Sequence, residues 1–235
     1  MFKIKMADFV IEIENRGKYV EALCRDYICA PETPADISIP APTNDELKAE
    51  MAETDPPAAP AYAESICIYR KICKELMSYR SFLLHSSVVE CDGKSYAFAA
   101  PSGTGKSTHT GMWLKHFGDR ARIINGDKPI YKITEDGVKV YGTPWCGKEG
   151  LHTNTSSPLA ALCFIERGQK NEIRKIDASE AVMRIFTQIL VPDNESDADL
   201  FFPIIDEFIK KVPCYALKCN ISDEAVEVAY GAMKG

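Results

Sequence analysis

Between Phe2 and Glu14 apolar and polar positions alternate with a period of two, which predicts a strand or a strand pair. Asn15-Arg16-Gly17 is a turn signal, and residues 18–30 are read as a second strand pair. Four prolines in 31–42 leave room only for a short edge strand over Asp36–Ile39. Thr43 or Asn44 can cap a short helix over 45–53, and the prolines at 56, 57 and 60 break the pattern after it. The period then changes. From Ala61 to Ser81, Ile66, Tyr69, Ile72, Cys73 and Leu76 share one helical face, with Arg70, Lys71, Lys74 and Glu75 between them.

Phe82–Cys91 and Lys94–Ala100 read as strands joined by Asp92-Gly93, a strong hairpin signal. The strand feeding the next loop therefore pairs antiparallel with the one before it, and the sheet is expected to be mixed. A helix over 105–117, a strand over 120–125 and a hairpin of 128–134 with 138–141 follow. Residues 142–150 hold too much Gly and Pro for a regular element, and 151–157 are polar. Strands are expected at 158–165, 172–176 and 214–218, with helices at 179–190, 199–211 and 223–233 and a polar loop at 192–199. The sum is an α/β chain: a β-rich subdomain of short strands over 1–60 and a mixed-sheet domain over 61–235.

Chemistry enters at Ala100-Pro101-Ser102-Gly103-Thr104-Gly105-Lys106-Ser107. A glycine-rich loop between a strand and a helix, closed by Lys-Ser, is the arrangement that cradles phosphates. Gly103 and Gly105 permit the tight turn that aims successive N–H groups at one point, and the helix start adds partial positive charge. Pro101 to Thr108 are the nucleotide-binding candidates. Lys106 would face the β- and γ-phosphates, and the Ser107 hydroxyl would hold Mg²⁺. Ala100 stands where the common pattern has Gly.

Magnesium beside such a loop wants a carboxylate at a strand end, and Asp127 fits, about twenty residues on. It is read as metal ligand, as the group that activates an acceptor hydroxyl, or as both. In the loop 142–150, Lys148 would offset charge on a phosphoryl group in flight, Glu149 would assist, and Trp145 would wall the pocket. His85 lies on the strand beside the phosphate strand and is read either as facing the site or as a core residue. The same two readings hold for His109, one turn into the loop helix.

Composition narrows the field. A net charge of −6 argues against a nucleic-acid binder, but not against a nucleotide, which needs only local positive charge. Nine Cys with no Cys-x-x-Cys spacing disfavour zinc, and no apolar run is long enough to cross a bilayer. A cytoplasmic protein with reduced thiols is expected.

Together Leu83-Leu-His-Ser-Ser87, Phe98 to Thr108, Gly126-Asp127 and the following loop resemble the HPr kinase/phosphorylase group. The resemblance covers about 82–150. It implies the phosphoenolpyruvate carboxykinase-like P-loop fold and a Mg-ATP-dependent kinase acting on a serine or other hydroxyl, with homo-oligomers expected. The group's pair of acids after the strand is here Gly126-Asp127, and its Arg-containing loop is replaced by 142–150, with Lys148 as the positive charge. The residues leave open a kinase for a protein, peptide or small hydroxyl acceptor, a non-catalytic nucleotide sensor, and a simple ATPase.

Overall fold

The computed structural model describes residues 1–192 and 194–235. It divides into two compact units, Met1–Tyr79 and Arg80–Gly235.

In the first unit, of the two readings of 2–14 the pair is formed: β1 (Phe2–Met6) and β2 (Phe9–Ile13) make a hairpin, turning at Ala7-Asp8 with positive φ. The second strand pair is not formed. Residues 18–30 instead fold as α1 (Lys18–Leu23) and a short 3₁₀ turn, Arg25–Tyr27. The reason is visible in the buried residues: Val20, Cys24 and Tyr27 recur at helical spacing, not at a period of two. The edge strand is present as β3 (Ile37–Ile39), parallel to β2. Thr43 caps α2 (Asn44–Ala52) in a full capping box with Glu46, and α3 (Pro60–Met77) places Ile68, Ile72 and Leu76 in the core. The first unit therefore takes in this helix along with the short strands.

In the second unit, the single strand expected over 82–91 is two, β4 (Ser81–Leu83) and β5 (Ser86–Cys91). The chain changes partners between them: β4 pairs with a hairpin strand further along, while β5 enters the central sheet. At the break the His85 amide donates to Gln188 O at 2.8 Å, and the Ser86 amide to Asp127 O at 3.0 Å. β5 and β6 (Lys94–Ala99) form the antiparallel hairpin signalled by Asp92-Gly93. After the glycine-rich loop come α4 (Lys106–Phe117), β7 (Ala121–Asn125), and the hairpin of β8 (Ile130–Thr134) with β9 (Gly137–Tyr141).

β10 (Ser156–Arg167) begins earlier than its apolar run suggests, because Ser156 and Ser157 pair with β9 before the strand continues beside β6. β11 (Glu172–Lys175) follows, and α5 (Ala178–Ile185) is shorter than expected. Within the loop expected over 192–199, Asp193 lies outside the described residues. Asn194 caps α6 (Glu195–Lys211), so that helix starts earlier than its apolar stripe. β12 (Cys214–Cys219) and α7 (Asp223–Met233), capped by Ser222, complete the chain.

The second unit is mixed α/β with a curled mixed sheet in the order β4-β8-β9-β10-β6-β5-β7, extended by β12 and β11 beside β10. Its centre is parallel: β6, β10 and β12 run the same way. Side chains alternate across these strands. Tyr96, Phe98, Ala100, Cys163 and Leu217 join the core under α4 and α7, centred on the fully buried Trp113. Ala99 and Phe164, one position off, belong to the opposite face. No helix among the described residues is long and apolar enough to cross a membrane.

Candidate functional site

The glycine-rich loop leaves β6 at the carboxyl end of the parallel strands, where open α/β sheets bind ligands. Gly103 (φ 77°) and Gly105 (φ 123°) hold backbone that a side chain resists, so the turn into α4 depends on them. Lys106 is buried, and its Nζ donates to Ala100 O at 2.9 Å, tying the helix start to the first residue of the loop. Ala100 is 3 % exposed and part of the core, so its methyl is accommodated. Burial pulls the Lys106 amine below its usual range; Asp127 and Glu149 oppose this, and Lys128 adds to it. Ser107 is half-buried, and Pro101, Ser102, Gly103 and Thr108 are exposed.

Asp127 sits where β7 ends. Asn125 is fully buried and builds the corner: its Oδ1 accepts from the amides of Asp127 (2.8 Å) and Lys128 (2.7 Å), and its Nδ2 donates to Thr143 O (3.0 Å). One Asp127 oxygen meets His85 Nε2 at 2.8 Å, and the other pairs with Lys128 Nζ. Burial opposes ionisation of Asp127. The His85 hydrogen bond and the Lys128 charge outweigh it, so the carboxyl lies well below the usual range.

The loop 142–150 folds over this corner. A Cβ on Gly126 would lie 2.8 Å from Cys146 O, and one on Gly147 would lie 3.0 Å from Asp127 Cβ. No acid can therefore precede Asp127 without moving that loop. Trp145 and Cys146 are buried, and burial raises the Cys146 thiol pKa, which keeps it protonated. Glu149 is exposed, and its charge reaches Lys106. Lys148 is exposed on the turn 147–150, and no hydrogen bond or ion pair among the described residues ties it to Asp127.

Lys106, Asp127, His85 and Glu149 thus form one neighbourhood, with Lys128 added to it. Two cavities flank the loop. One, of about 470 Å³, lies on the α4 side, against Gly103, Thr108, His109, Arg167 and Ile221. His109 is buried there, and its Nε2 accepts from Trp113 Nε1 at 3.1 Å. An indole N–H only donates, so the neutral ring carries its proton on Nδ1, an atom without a partner. Burial pushes the His109 pKa down to about 4, which keeps the ring neutral. The other cavity, of about 660 Å³, opens between Ala100-Pro101, Phe164 and α5.

Arg167 carries no motif of its own. It stands at the end of β10 and donates to Gly103 O (2.5 Å) and Thr104 O (3.2 Å), turning those carbonyls toward itself. A basic residue closing an apolar strand was its only mark, and nothing in the spacing ties it to a loop more than sixty residues earlier. Asn125, Lys128 and Thr143 were missed for the same reason. Among the described residues no cluster of three or more His, Cys, Asp or Glu could hold a metal. A magnesium ion here would rest on the Ser107 hydroxyl and the Asp127 carboxylate, with phosphate and water oxygens completing the shell, which suits that ion.

A family model described as SynChlorMet cassette protein ScmC matches residues 63–229. No curated protein matches the sequence. Among solved structures, the HPr(Ser) kinase/phosphatase from Coxiella burnetii aligns at 8% identity with a TM-score of 0.38, covering 65% of this chain and 99% of that one.

Proposed function

The chain belongs to the ScmC family, and from that premise we propose that it is an ATP-dependent phosphotransferase that moves a γ-phosphoryl group to a hydroxyl. One observation carries the reading: Ser86 pairs with Ala99, where the chain leaves β6 for the loop of Lys106, and the Ser86 amide donates to Asp127 O at 3.0 Å, so the strand-end acid lies one strand away from that loop. That is the charge layout phosphoryl transfer needs, since its catalysis is positioning and electrostatic stabilisation.

In this reading the backbone N–H groups of 102–106 and the Lys106 amine hold the phosphates. The His109 Nδ1–H offers a donor to a base lying in the cavity beside α4. Magnesium, held by Ser107 and Asp127, would neutralise phosphate charge. Asp127 is too acidic to be a strong base, so its carboxylate orients and His85 stays in register against it. Lys128 balances the acid. Lys148 and Glu149, on the turn above, would close over the transferred group. The fold reading, a P-loop kinase core of the phosphoenolpyruvate carboxykinase-like type, is part of the same proposal and applies to the second unit, Arg80–Gly235.

The test is incubation with γ-labelled ATP, Mg²⁺ and a panel of hydroxyl acceptors. Transfer by the wild type, lost in Lys106→Ala and Asp127→Asn, supports it; transfer that persists in both variants defeats it. The engagement of both Asp127 oxygens by His85 and Lys128 favours a second reading, a nucleotide sensor. Tight ATP binding with no transfer to any acceptor would select that reading.

A further inference from the structure

We propose that the cavity of about 660 Å³ on the α5 side of the loop is the acceptor subsite, with Gln188 the residue that recognises the acceptor. The inference deepens the phosphotransfer reading and rests on it for the word acceptor.

Gln188 lines this cavity, and it is 7 % exposed. Its amide orientation follows from its neighbours. The Thr187 hydroxyl donates to Arg184 O at 2.8 Å, so Thr187 Oγ1 can only accept from Gln188, and Nε2 donates to it at 2.9 Å. Oε1 is therefore an acceptor, and it has no partner. A buried acceptor left unpaired costs about 1–3 kcal/mol; Oε1 is sealed in this conformation, so a ligand donor removes that cost once the Gln188 side chain turns toward the cavity. The position suits an acceptor hydroxyl. The Gln188 main-chain carbonyl accepts from the His85 amide, and His85 holds Asp127, so the residue with the unpaired side-chain acceptor adjoins the corner that carries the acid.

The walls give the substrate class. Ala99, Ala100, Phe164 and Met183 are apolar. The charged lining is Glu166, Asp177 and Glu180 against Arg184 alone. Arg184 is spent on Glu166 (2.7 Å) and Glu180 (2.8 Å), and Arg174, outside the lining, also pairs with Glu180 (2.6 Å), which leaves one negative charge in excess. The remaining field is negative, which rejects an anionic acceptor and admits a neutral or cationic one. The volume is that of a small-molecule pocket or of one residue with its neighbours. The ligand is thus an aliphatic hydroxyl on a neutral or cationic, partly apolar carrier. Two sources share that chemistry: a free amino alcohol and a serine in a basic peptide.

The experiment uses the full chain with a non-hydrolysable ATP analogue and reads probe binding by ligand-observed NMR. The probes are ethanolamine and two serine hexapeptides, one flanked by lysines and one by glutamates. Ethanolamine or the lysine peptide is expected to bind, and which of them binds identifies the source. Gln188→Met, which removes the buried acceptor at constant volume, should weaken that probe by about tenfold or more, with affinity for the ATP analogue unchanged. Gln188→Glu should favour the cationic probe over its wild-type affinity. Absence of binding by all three probes, equal binding by Gln188→Met, or preference for the glutamate peptide overturns the subsite. Binding without transfer would leave the subsite standing while the phosphotransfer reading falls. Transfer with Gln188→Met unimpaired would do the reverse.

Discussion

Gly126 shows how one residue's size records a packing constraint. The resemblance places an acid there, and the Cys146 carbonyl occupies the space that its Cβ would need. Gly126→Asp is therefore expected to destabilise the fold by about 1–3 kcal/mol and to lower activity, not to raise it; chemical denaturation and a transfer assay check both. Asp127→Asn keeps the volume but removes the charge that Lys128 and His85 meet and that would hold Mg²⁺, so it should lower transfer by about a hundredfold or more and weaken Mg-ATP binding as well. His109 carries a pH dependence. Its folded pKa of about 4 lies below the ordinary 6.5, so between these values the unfolded chain binds a proton that the folded chain refuses. The stabilisation is complete above pH 6.5 and is lost as pH falls toward 4, an effect of about 3 kcal/mol at most. Denaturation midpoints across that range should fall less steeply in His109→Gln, where an amide oxygen can still accept from Trp113.

At the scale of elements, the loop is held from behind by aromatic packing. Trp113 on α4 is fully buried, with ring centroids of Tyr96, Phe98, Phe117 and Tyr230 within 5.0–5.7 Å. Trp113→Ala should cost about 3–5 kcal/mol and loosen the helix that carries Lys106 and Ser107. Thermal unfolding together with nucleotide affinity would register the loss. The break between β4 and β5 has a different origin. Two short strands with different partners leave His85 at a corner, where its amide and ring are both engaged. Arg167 at the end of β10 fixes the loop from the neighbouring strand, and Arg167→Ala should weaken phosphate binding with little change in stability.

At the scale of the second unit, ligand linkage gives the broadest check. A nucleotide that binds only the folded state at a hundredfold its Kd adds about 2.7 kcal/mol, which raises the melting temperature by several degrees. Mg-ATP should do so for the wild type and not for Lys106→Ala, and chelating Mg²⁺ should reduce the shift.

The elements that rest on near neighbours were legible in the sequence: the hairpin at Asp92-Gly93, the Thr43 and Ser222 caps, the glycine-rich loop and α4. Each depends on residues a few positions apart, and periodicity and turn chemistry report those directly. Where short apolar runs carry two periods at once, as in 18–30, the pattern by itself admits a strand pair. Tertiary burial of Val20, Cys24 and Tyr27 decided for helix. The site divides in the same way. Lys106, Ser107 and Asp127 are candidates that local motifs alone suggest. The contacts of Arg167 with the loop and of His85 with Gln188, and the space that forbids a side chain at Gly126, join residues far apart in the chain. Sequence fixes the chemistry available at each position, while only the pairing of distant strands decides which of those groups meet.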